Sequence, residues 1–207
     1  MDRNISRKDH WNNIYETKDT TKVSWYQQNP ETALKLLRKY KIRKEQKIID
    51  IGGGDSCLVD NLLKLDYQDI TILDVSKTAI QKSKERLGNE ATKVKWLVED
   101  AANFKARENY DFWYDRAAFH FLVDEKEIDS YINTVNQSIN PGGYLVIATF
   151  SKNGPDVCSG LKTSQYSEED LCEKLKDKFI KEECFFQDHN TPSGGKQNFI
   201  FCCFRRK

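Results

Sequence analysis

The sequence lacks a long apolar run, and it lacks an excess of charge of either sign. No stretch approaches the roughly 18 apolar residues of a membrane-spanning helix, so we expect no membrane span. Lysine and arginine number 33 against 32 aspartates and glutamates, a net charge of +1 over 207 residues. Neutralising phosphates needs a clear basic excess, so this balance argues against nucleic acid as the partner. The first ten residues hold no apolar stretch, which predicts no secretory signal and a cytoplasmic location.

The six cysteines include no C-x-x-C pair, the spacing typical of metal-binding and redox motifs. With no secretory signal expected, their scatter predicts reduced thiols and no metal site. Two of them are neighbours, and in a strand their side chains would point to opposite faces and could not easily share a metal. The cysteines are Cys57, Cys158, Cys172, Cys184, Cys202 and Cys203.

Short apolar runs alternate with amphipathic helical patterns over the middle of the chain. This alternation predicts parallel strands joined by crossover helices, and the nearly continuous apolar strands predict a sheet covered on both faces. The predicted strands are Lys47–Ile51, Ile70–Asp74, Val94–Val98, Tyr110–Tyr114 and Tyr144–Phe150. The predicted helices are Ser56–Leu65, one from Ser76 as N-cap to about Leu87, and one from about Glu125 to Ile139, stopped by Asn140–Gly143.

The last quarter of the sequence has a different pattern. Ser167 opens a helix in the style of a capping box. Two strand-like runs follow, at about 179–187 and 197–205, with a turn-rich loop and no helix between them, so we expect an antiparallel hairpin at the sheet edge. The fold class predicted is therefore α/β: a doubly wound, mostly parallel, seven-stranded sheet with an antiparallel C-terminal hairpin. Residues 1–29 form a separate N-terminal segment laid on a single domain of residues 30–207.

The strongest chemical signal is Asp50-Ile51-Gly52-Gly53-Gly54-Asp55-Ser56, where the first strand meets the first helix. Glycines there let backbone approach a ligand closely, although a plain tight turn would look the same. Asp74 follows Gly54 by 20 residues and ends the second strand, where a carboxylate can accept both hydroxyl hydrogens of a ribose. The alternative is that Asp74 only caps the next helix. Together the loop and Asp74 predict a nucleoside site.

The loop does not suit a pyrophosphate. Cys57 stands where a dinucleotide fingerprint has its third glycine, no Walker lysine follows, and Asp50 and Asp55 would repel phosphate. A ligand with an adenosine-like end and a cationic, phosphate-free end fits better. S-adenosylmethionine has these properties.

The chain resembles the class I S-adenosylmethionine-dependent methyltransferases from about Lys47 to Phe150. The family motif acid-x-G-x-G-x-G corresponds to Asp50, Gly52 and Gly54, with Ser56 in place of the third glycine. Asn140–Gly143 is similar to the family's P-G-G turn, and the phrase from His10-Trp11 to Ser24-Trp25-Tyr26-Gln27 resembles a bacterial subgroup of small, generic methyltransferases. The resemblance implies S-adenosylmethionine as cofactor and S-adenosylhomocysteine as product.

The same resemblance implies roles for individual residues. Asp50 and the backbone of Gly52, Gly53 and Gly54 would hold the methionine end, Asp74 would hold the ribose, and Asp100 and Ala101 would lie at the adenine. Val75, which follows Asp74, would also contact the cofactor. The aromatic residues of the N-terminal segment would either staple it to the core or form a lid over the sulfonium, where an aromatic face attracts a cation. Those expected to contact the cofactor are Trp11, Tyr15 and Trp25.

The segment after the fourth strand contains the candidate catalytic residues Asp115, Arg116 and His120. In relatives this segment faces the transferable methyl group. Arg116 could clamp an anion on the acceptor or form a structural ion pair. His120 could be a general base or a structural side chain. Methyl transfer from a sulfonium needs alignment and exclusion of water rather than an enzyme nucleophile, which agrees with the lack of a Ser-His-Asp arrangement.

We therefore predict direct in-line methyl transfer to a small-molecule acceptor. The alternatives are a protein methyltransferase acting on lysine, an RNA methyltransferase disfavoured by the charge, a nicotinamide-dependent oxidoreductase, and a non-catalytic adenosyl-ligand-binding protein on the same scaffold. The sequence does not define the acceptor atom or the oligomeric state.

Overall fold

The computed structural model describes residues 6–207. These residues form six α-helices and nine strands. The helices are α1 (Arg7–Thr17), α2 (Glu31–Lys39), α3 (Leu58–Lys64), α4 (Lys77–Leu87), α5 (Glu125–Ser138) and α6 (Glu168–Leu175). The strands are β1 (Lys47–Ile51), β2 (Asp69–Asp74), β3 (Val94–Val98), β4 (Tyr110–Arg116), β5 (Ile139–Phe150), β6 (Val157–Cys158), β7 (Leu161–Lys162), β8 (Phe179–Asn190) and β9 (Lys196–Arg206).

Seven of these strands form one sheet in the order β3-β2-β1-β4-β5-β9-β8. The first five strands run parallel, and β9 and β8 add as an antiparallel hairpin. Apolar side chains pack into one cluster on each face of the sheet. The predicted fold class is confirmed. The order reverses between β1 and β4, which is where ligands bind in open α/β sheets.

Several helix ends follow the predicted local chemistry. The Ser76 hydroxyl accepts a hydrogen bond from the Ala79 amide at the start of α4. Ser167 and Asp170 form a reciprocal capping box at α6. Gly88 ends α4 with a φ of 56°, a conformation that glycine adopts without a steric penalty.

The largest difference from the predicted boundaries is at the start of the fifth strand. The helix α5 ends at Ser138 and β5 begins at Ile139, five residues before the predicted start, so Asn140–Gly143 lies inside the strand. The register against β4 shifts between Tyr110 and Phe112, and this irregularity absorbs the turn-like residues without breaking the pairing. The segment after β5, which shows no periodicity, contains the two-residue strands β6 and β7.

The described part of the N-terminal segment lies against the domain. Trp11, Ile14 and Tyr15 of α1 are buried in the same cluster as residues of β1 and β2. Asn12 accepts a hydrogen bond from the Ser76 hydroxyl at 2.9 Å, which fixes α1 to the start of α4. Residues 1–5 of the predicted 1–29 segment lie outside the described residues.

The prediction of reduced cysteines is wrong for two of the six. Cys184 on β8 lies directly opposite Cys202 on β9, and the two form a disulfide with their Cα atoms 4.2 Å apart. Cys57, Cys158, Cys172 and Cys203 are free thiols. The pairing depends on the hairpin register, which the cysteine spacing alone does not reveal.

None of the helices within the described part of the chain has both the length and the apolar character that a membrane crossing requires.

Candidate active site

The glycine loop joins β1 to α3 at the switch point of the sheet. The amides of Gly52 and Gly53 donate to the Leu73 carbonyl at 2.7 and 3.3 Å, which holds the loop against the end of β2. Gly52 has a φ of 69°, and a Cβ there would lie 2.9 Å from the Cβ of Ala118. A Cβ on Gly54 would lie 2.5 Å from a carboxylate oxygen of Asp74. The glycines are therefore required by close packing of the loop against neighbouring strand ends.

Asp74 is buried at the end of β2 and faces the same loop. One carboxylate oxygen accepts from the Gly54 amide at 3.0 Å, and the other accepts from the Ser76 amide at 2.7 Å. Burial raises the pKa of Asp74 to about 6, against the lowering effect of these two hydrogen bonds. Each oxygen retains a further lone pair, so the helix-capping contact and a contact to ligand hydroxyls are compatible.

Asp50 lies at the end of β1, beneath the glycine loop. Its Oδ2 atom is buried and has no hydrogen-bond partner among the described residues. Burial, together with the nearby Asp115 and Asp74 carboxylates, raises the pKa of Asp50 well above its usual range. A buried carboxylate oxygen without a donor is costly, so this position suits a ligand that brings a cationic or N–H donor.

Asp100, after β3, already has a protein partner. Both of its carboxylate oxygens accept from Nη1 of Arg7, at 2.9 and 2.8 Å, and Nη2 of Arg7 donates to Glu127 at 2.5 Å. Asp100 nevertheless lines the cleft, as do Val75 and Ala101 beside it. Arg7 was not predicted as a cleft residue, because its partners Asp100 and Glu127 are 93 and 120 residues away in the chain.

Three aromatic residues of the N-terminal segment line the cleft together. The rings of Trp11 and Trp25 have centroids 5.5 Å apart and lie edge to face, and Tyr15 lies 6.2 Å from Trp25. Trp11 also packs edge to face on Phe121 at 5.0 Å. These contacts place one wall of the cleft on α1 and the loop after it.

Asp115 is fully buried and is not among the residues that line the cleft. Its carboxylate accepts from the amides of Ala118 and Phe119 at 3.1 and 3.0 Å and from the Tyr131 hydroxyl at 2.7 Å. Burial raises the pKa of Asp115 to about 6 despite these donors. Its contacts hold the turn after β4, in which Ala117 adopts a φ of 67°, a rare conformation for a residue with a Cβ.

Arg116 and His120 do line the cleft. Nη1 of Arg116 donates to the Trp25 carbonyl at 3.1 Å, whereas Nη2 is buried without an acceptor among the described residues. His120 stacks on Phe150 at 4.0 Å, and its Nδ1 accepts from the Phe150 amide at 3.3 Å. The ring proton therefore belongs on Nε2, which is buried without a partner in residues 6–207. Burial and then the Arg116 charge lower the pKa of His120 to about 3, so the ring is neutral at pH 7.

The cleft comprises two adjoining spaces of about 780 and 580 Å³ that share Tyr15, Trp25, Gly52 and Arg116. We call the strand-end residues Asp50, Gly52–Gly54, Asp74 and Asp100 the polar half. We call Arg116, His120, Phe150, Cys158, Gln197 and Phe199 the aromatic half. Phe150, Gln197 and Phe199 were not predicted as cleft residues, because they reach the site only through the pairing of β5 with β4 and of β9 with β5 and β8.

The polar half fits S-adenosylmethionine, the cofactor implied by the sequence. The unpartnered oxygen of Asp50 suits an ammonium group, and the free lone pairs of Asp74 suit a ribose diol. The aromatic faces of Trp11 and Trp25 suit a sulfonium. A pyrophosphate would meet the carboxylates of Asp50 and Asp55 in the second space.

Comparison with known proteins agrees with this assignment. A family model described as a methyltransferase domain matches residues 49–145. The chain is 28% identical over 148 residues to the eEF1A lysine and N-terminal methyltransferase of Mus musculus, covering 68% of this chain and 21% of that protein. It is 25% identical over 109 residues to malonyl-[acyl-carrier protein] O-methyltransferase 1 of Ilyobacter polytropus, covering 52% and 39%. The chain therefore spans about a fifth of the length of the first relative and about two fifths of the length of the second.

Solved structures share the fold over the whole chain. The 1,6-didemethyltoxoflavin-N1-methyltransferase of Burkholderia thailandensis, with bound 1,6-didemethyltoxoflavin and S-adenosylhomocysteine, superimposes with a TM-score of 0.72 at 16% identity. That match covers 100% of this chain and 93% of the other. An S-adenosylmethionine-dependent methyltransferase from Anabaena variabilis superimposes with a TM-score of 0.75 at 16% identity, covering 100% and 98%.

Proposed function

We propose that the chain is a class I S-adenosylmethionine-dependent methyltransferase that transfers a methyl group in line to a small-molecule acceptor, a proposal that the methyltransferase-domain match over residues 49–145 supports. The observation that carries this proposal is the aromatic half of the cleft. It presents two buried donor atoms without partners, Nη2 of Arg116 and Nε2 of His120, between aromatic rings. The carboxylates of the same space, Asp74 and Asp100, are those assigned to the cofactor in the polar half.

The polar half holds the cofactor in this proposal. Bound S-adenosylmethionine supplies a methyl group already activated by the sulfonium. Asp50 accepts from the ammonium, the loop of Gly52, Gly53 and Gly54 lies against the methionine end, and Asp74 accepts from the ribose hydroxyls. Val75 and Ala101 provide apolar contact to the adenine. Asp100 lies at the adenine edge and keeps Arg7 in place.

The N-terminal segment is the lid over that site. Arg7 ties the start of α1 to Asp100 and Glu127, and Asn12 ties its middle to Ser76. Trp11, Tyr15 and Trp25 then cover the space in which the sulfonium would lie. A closed aromatic cover excludes water, and its ring faces attract a cation.

Arg116 and His120 orient the acceptor. The free Nη2 of Arg116 donates to an anionic or carbonyl oxygen of the acceptor, and the nearby rings pack on its apolar part. His120 acts as a second donor through Nε2, because a ring whose pKa is about 3 is a weak base at neutral pH. The general-base role stays a prediction, and Asp115 serves as a positioning residue that holds the turn.

The alternative acceptor is a protein lysine, which the names of the eEF1A lysine methyltransferases support. A lysine ammonium entering this cleft would face the guanidinium of Arg116, and like charges in a buried site repel. We therefore rank the small-molecule acceptor first. Tight binding of the cofactor, without transfer of its methyl group to any protein or small molecule, would instead indicate a non-catalytic protein that binds an adenosyl ligand.

The test uses S-adenosylmethionine labelled in its methyl group and a cell extract divided into protein and low-molecular-weight fractions. We expect label in small molecules that an anion exchanger retains. Arg116→Gln should lower this transfer at least tenfold, and Arg107→Gln, an exposed arginine outside the cleft, should leave it unchanged. Label on protein bands, above all on eEF1A, would contradict the small-molecule proposal.

A further inference from the structure

A cluster of sulfur and carboxylate ligands lies between α6 and the β8–β9 hairpin, and none of its residues lines the cleft. Glu168 and Cys172 are four residues apart on α6, so their side chains share one face of the helix. A carboxylate oxygen of Glu168, Sγ of Cys172 and Sγ of Cys184 all lie within 4.8 Å of one another. Cys184 is bonded to Cys202, so a third sulfur adjoins the same point.

This cluster is independent of the proposed methyltransferase site. Cys202 packs in the core cluster on one face of the sheet, together with Leu171 and Leu175 of α6. Phe199, which lines the cleft, packs in the cluster on the other face. Successive residues of a strand point to opposite faces, so Cys202 cannot reach the cleft.

We propose that Glu168, Cys172, Cys184 and Cys202 form a redox-gated site for Zn²⁺. Three thiolates and one carboxylate are a ligand set for tetrahedral zinc, and thiolates select zinc over magnesium or calcium. In the oxidised protein the Cys184–Cys202 disulfide withholds two of the four ligands. In the reduced protein Cys184 is free to bind at the point it shares with Glu168 and Cys172, and Cys202, directly opposite it on β9, supplies the fourth ligand.

The chemistry balances with a low-molecular-weight thiol as the reductant. Two thiol molecules reduce the Cys184–Cys202 bond to two thiols and leave as their own disulfide. Zinc binding then displaces the protons of Cys172, Cys184 and Cys202 and takes the Glu168 carboxylate as fourth ligand.

The surroundings of the cluster suit a metal that exchanges with solvent. Glu168, Cys172 and Cys184 are half-buried, which leaves an entry path. Lys181 forms an ion pair with Glu168, and a divalent cation can displace this exposed ammonium at small cost. The displaced ammonium stays close enough to offset part of the negative charge of the thiolates.

The experiment titrates the full chain with Co²⁺, whose tetrahedral thiolate complexes absorb strongly, before and after reduction. We expect one Co²⁺ per chain in the reduced protein, displaced by Zn²⁺, and none in the oxidised protein. Cys172→Ser should weaken Co²⁺ binding at least tenfold, and it leaves the Cys184–Cys202 pair intact. Cys57→Ser, a half-buried thiol elsewhere, is the matched control and should bind as the unaltered protein does.

Two results would overturn the proposal. One is a reduced protein that binds no Co²⁺ while its circular dichroism shows it folded. The other is Co²⁺ binding that is equal in Cys172→Ser and Cys57→Ser, or equal before and after reduction. Glu168→Gln provides a second variant, because it removes a ligand charge without touching any cysteine, and we expect a smaller loss of affinity that still exceeds that of the control.

Discussion

The polar and aromatic halves of the cleft are assembled from different parts of the chain. The polar half comes from strand ends within 51 consecutive residues, 50–100, and it presents carboxylates and loop backbone. The aromatic half combines the end of β4 with β5, β6 and β9, and it presents rings, a guanidinium and an imidazole. A common cofactor needs a local, recurring motif, whereas the acceptor is selected by side chains that tertiary structure brings together.

The largest expected effect concerns Asp115, which supports the turn between the two halves. Its pKa of about 6 lies above the ordinary value of 3.8, so the folded protein retains a proton that the unfolded chain releases. The contribution of Asp115 to the free energy of unfolding is therefore fully present below about pH 4, and it is lost as the pH rises from about 4 to 6. The difference between these two pKa values of Asp115 corresponds to about 3 kcal/mol in the free energy of unfolding.

Urea unfolding of the unaltered protein and of Asp115→Asn across pH 4–7 tests this expectation. The free energy of unfolding of the unaltered protein, relative to the variant, should fall by about 3 kcal/mol over that range. A difference that is constant with pH would mean that Asp115 titrates near its ordinary pKa and that its burial is compensated in another way.

A substitution of Asp74 should weaken cofactor binding in the polar half without altering the aromatic half. Asp74→Ala removes the acceptor for the ribose hydroxyls and for the Gly54 amide. We expect the affinity for S-adenosylhomocysteine to fall by about 1–3 kcal/mol, the range for losing a hydrogen bond to a charged group. Asp69→Ala, at the opposite end of the same strand, is the control and should leave the affinity unchanged in calorimetry. Equal affinities for both variants would exclude Asp74 as the ribose ligand.

A substitution of Arg7 tests the lid separately from the two halves of the cleft, because Arg7 holds α1 in place and belongs to neither half. Its ion pairs with Asp100 and Glu127 are partly exposed, so Arg7→Gln should weaken S-adenosylhomocysteine binding by less than about 1 kcal/mol. We also expect faster hydrogen exchange in α1. Lys8→Gln, an exposed residue of the same helix, should alter neither measurement. A loss of a hundredfold in affinity would instead indicate that Arg7 contacts the ligand directly.

Sequence reasoning reached the features that depend on neighbouring residues. The five parallel strands, the caps at Ser76 and Ser167 and the loop of Gly52–Gly54 all follow from local patterns, and the structure contains each of them. The placement of Asp50 and Asp74 at adjacent strand ends follows from the same parallel order.

The features that were not predicted from the sequence depend on how distant segments of the chain pair and pack. Cys184 and Cys202 pair because the register of the hairpin, which runs unbroken from Asn190 opposite Lys196, places them directly opposite each other. Arg7 meets Asp100 only when α1 lies on the sheet edge. Phe199 enters the cleft through the antiparallel pairing of β9 with β5. Composition and spacing carry no information on these contacts, since each joins segments more than ten residues apart.

The most direct test of the central claim compares S-adenosylmethionine, S-adenosylhomocysteine and NAD as stabilisers of the protein against heat. A ligand at 100 times its dissociation constant adds about 2.7 kcal/mol to the free energy of unfolding, which a melting curve resolves readily. We predict that both adenosyl sulfur ligands raise the melting temperature and that NAD does not. Stabilisation by NAD alone would contradict the account and assign the glycine loop to a dinucleotide.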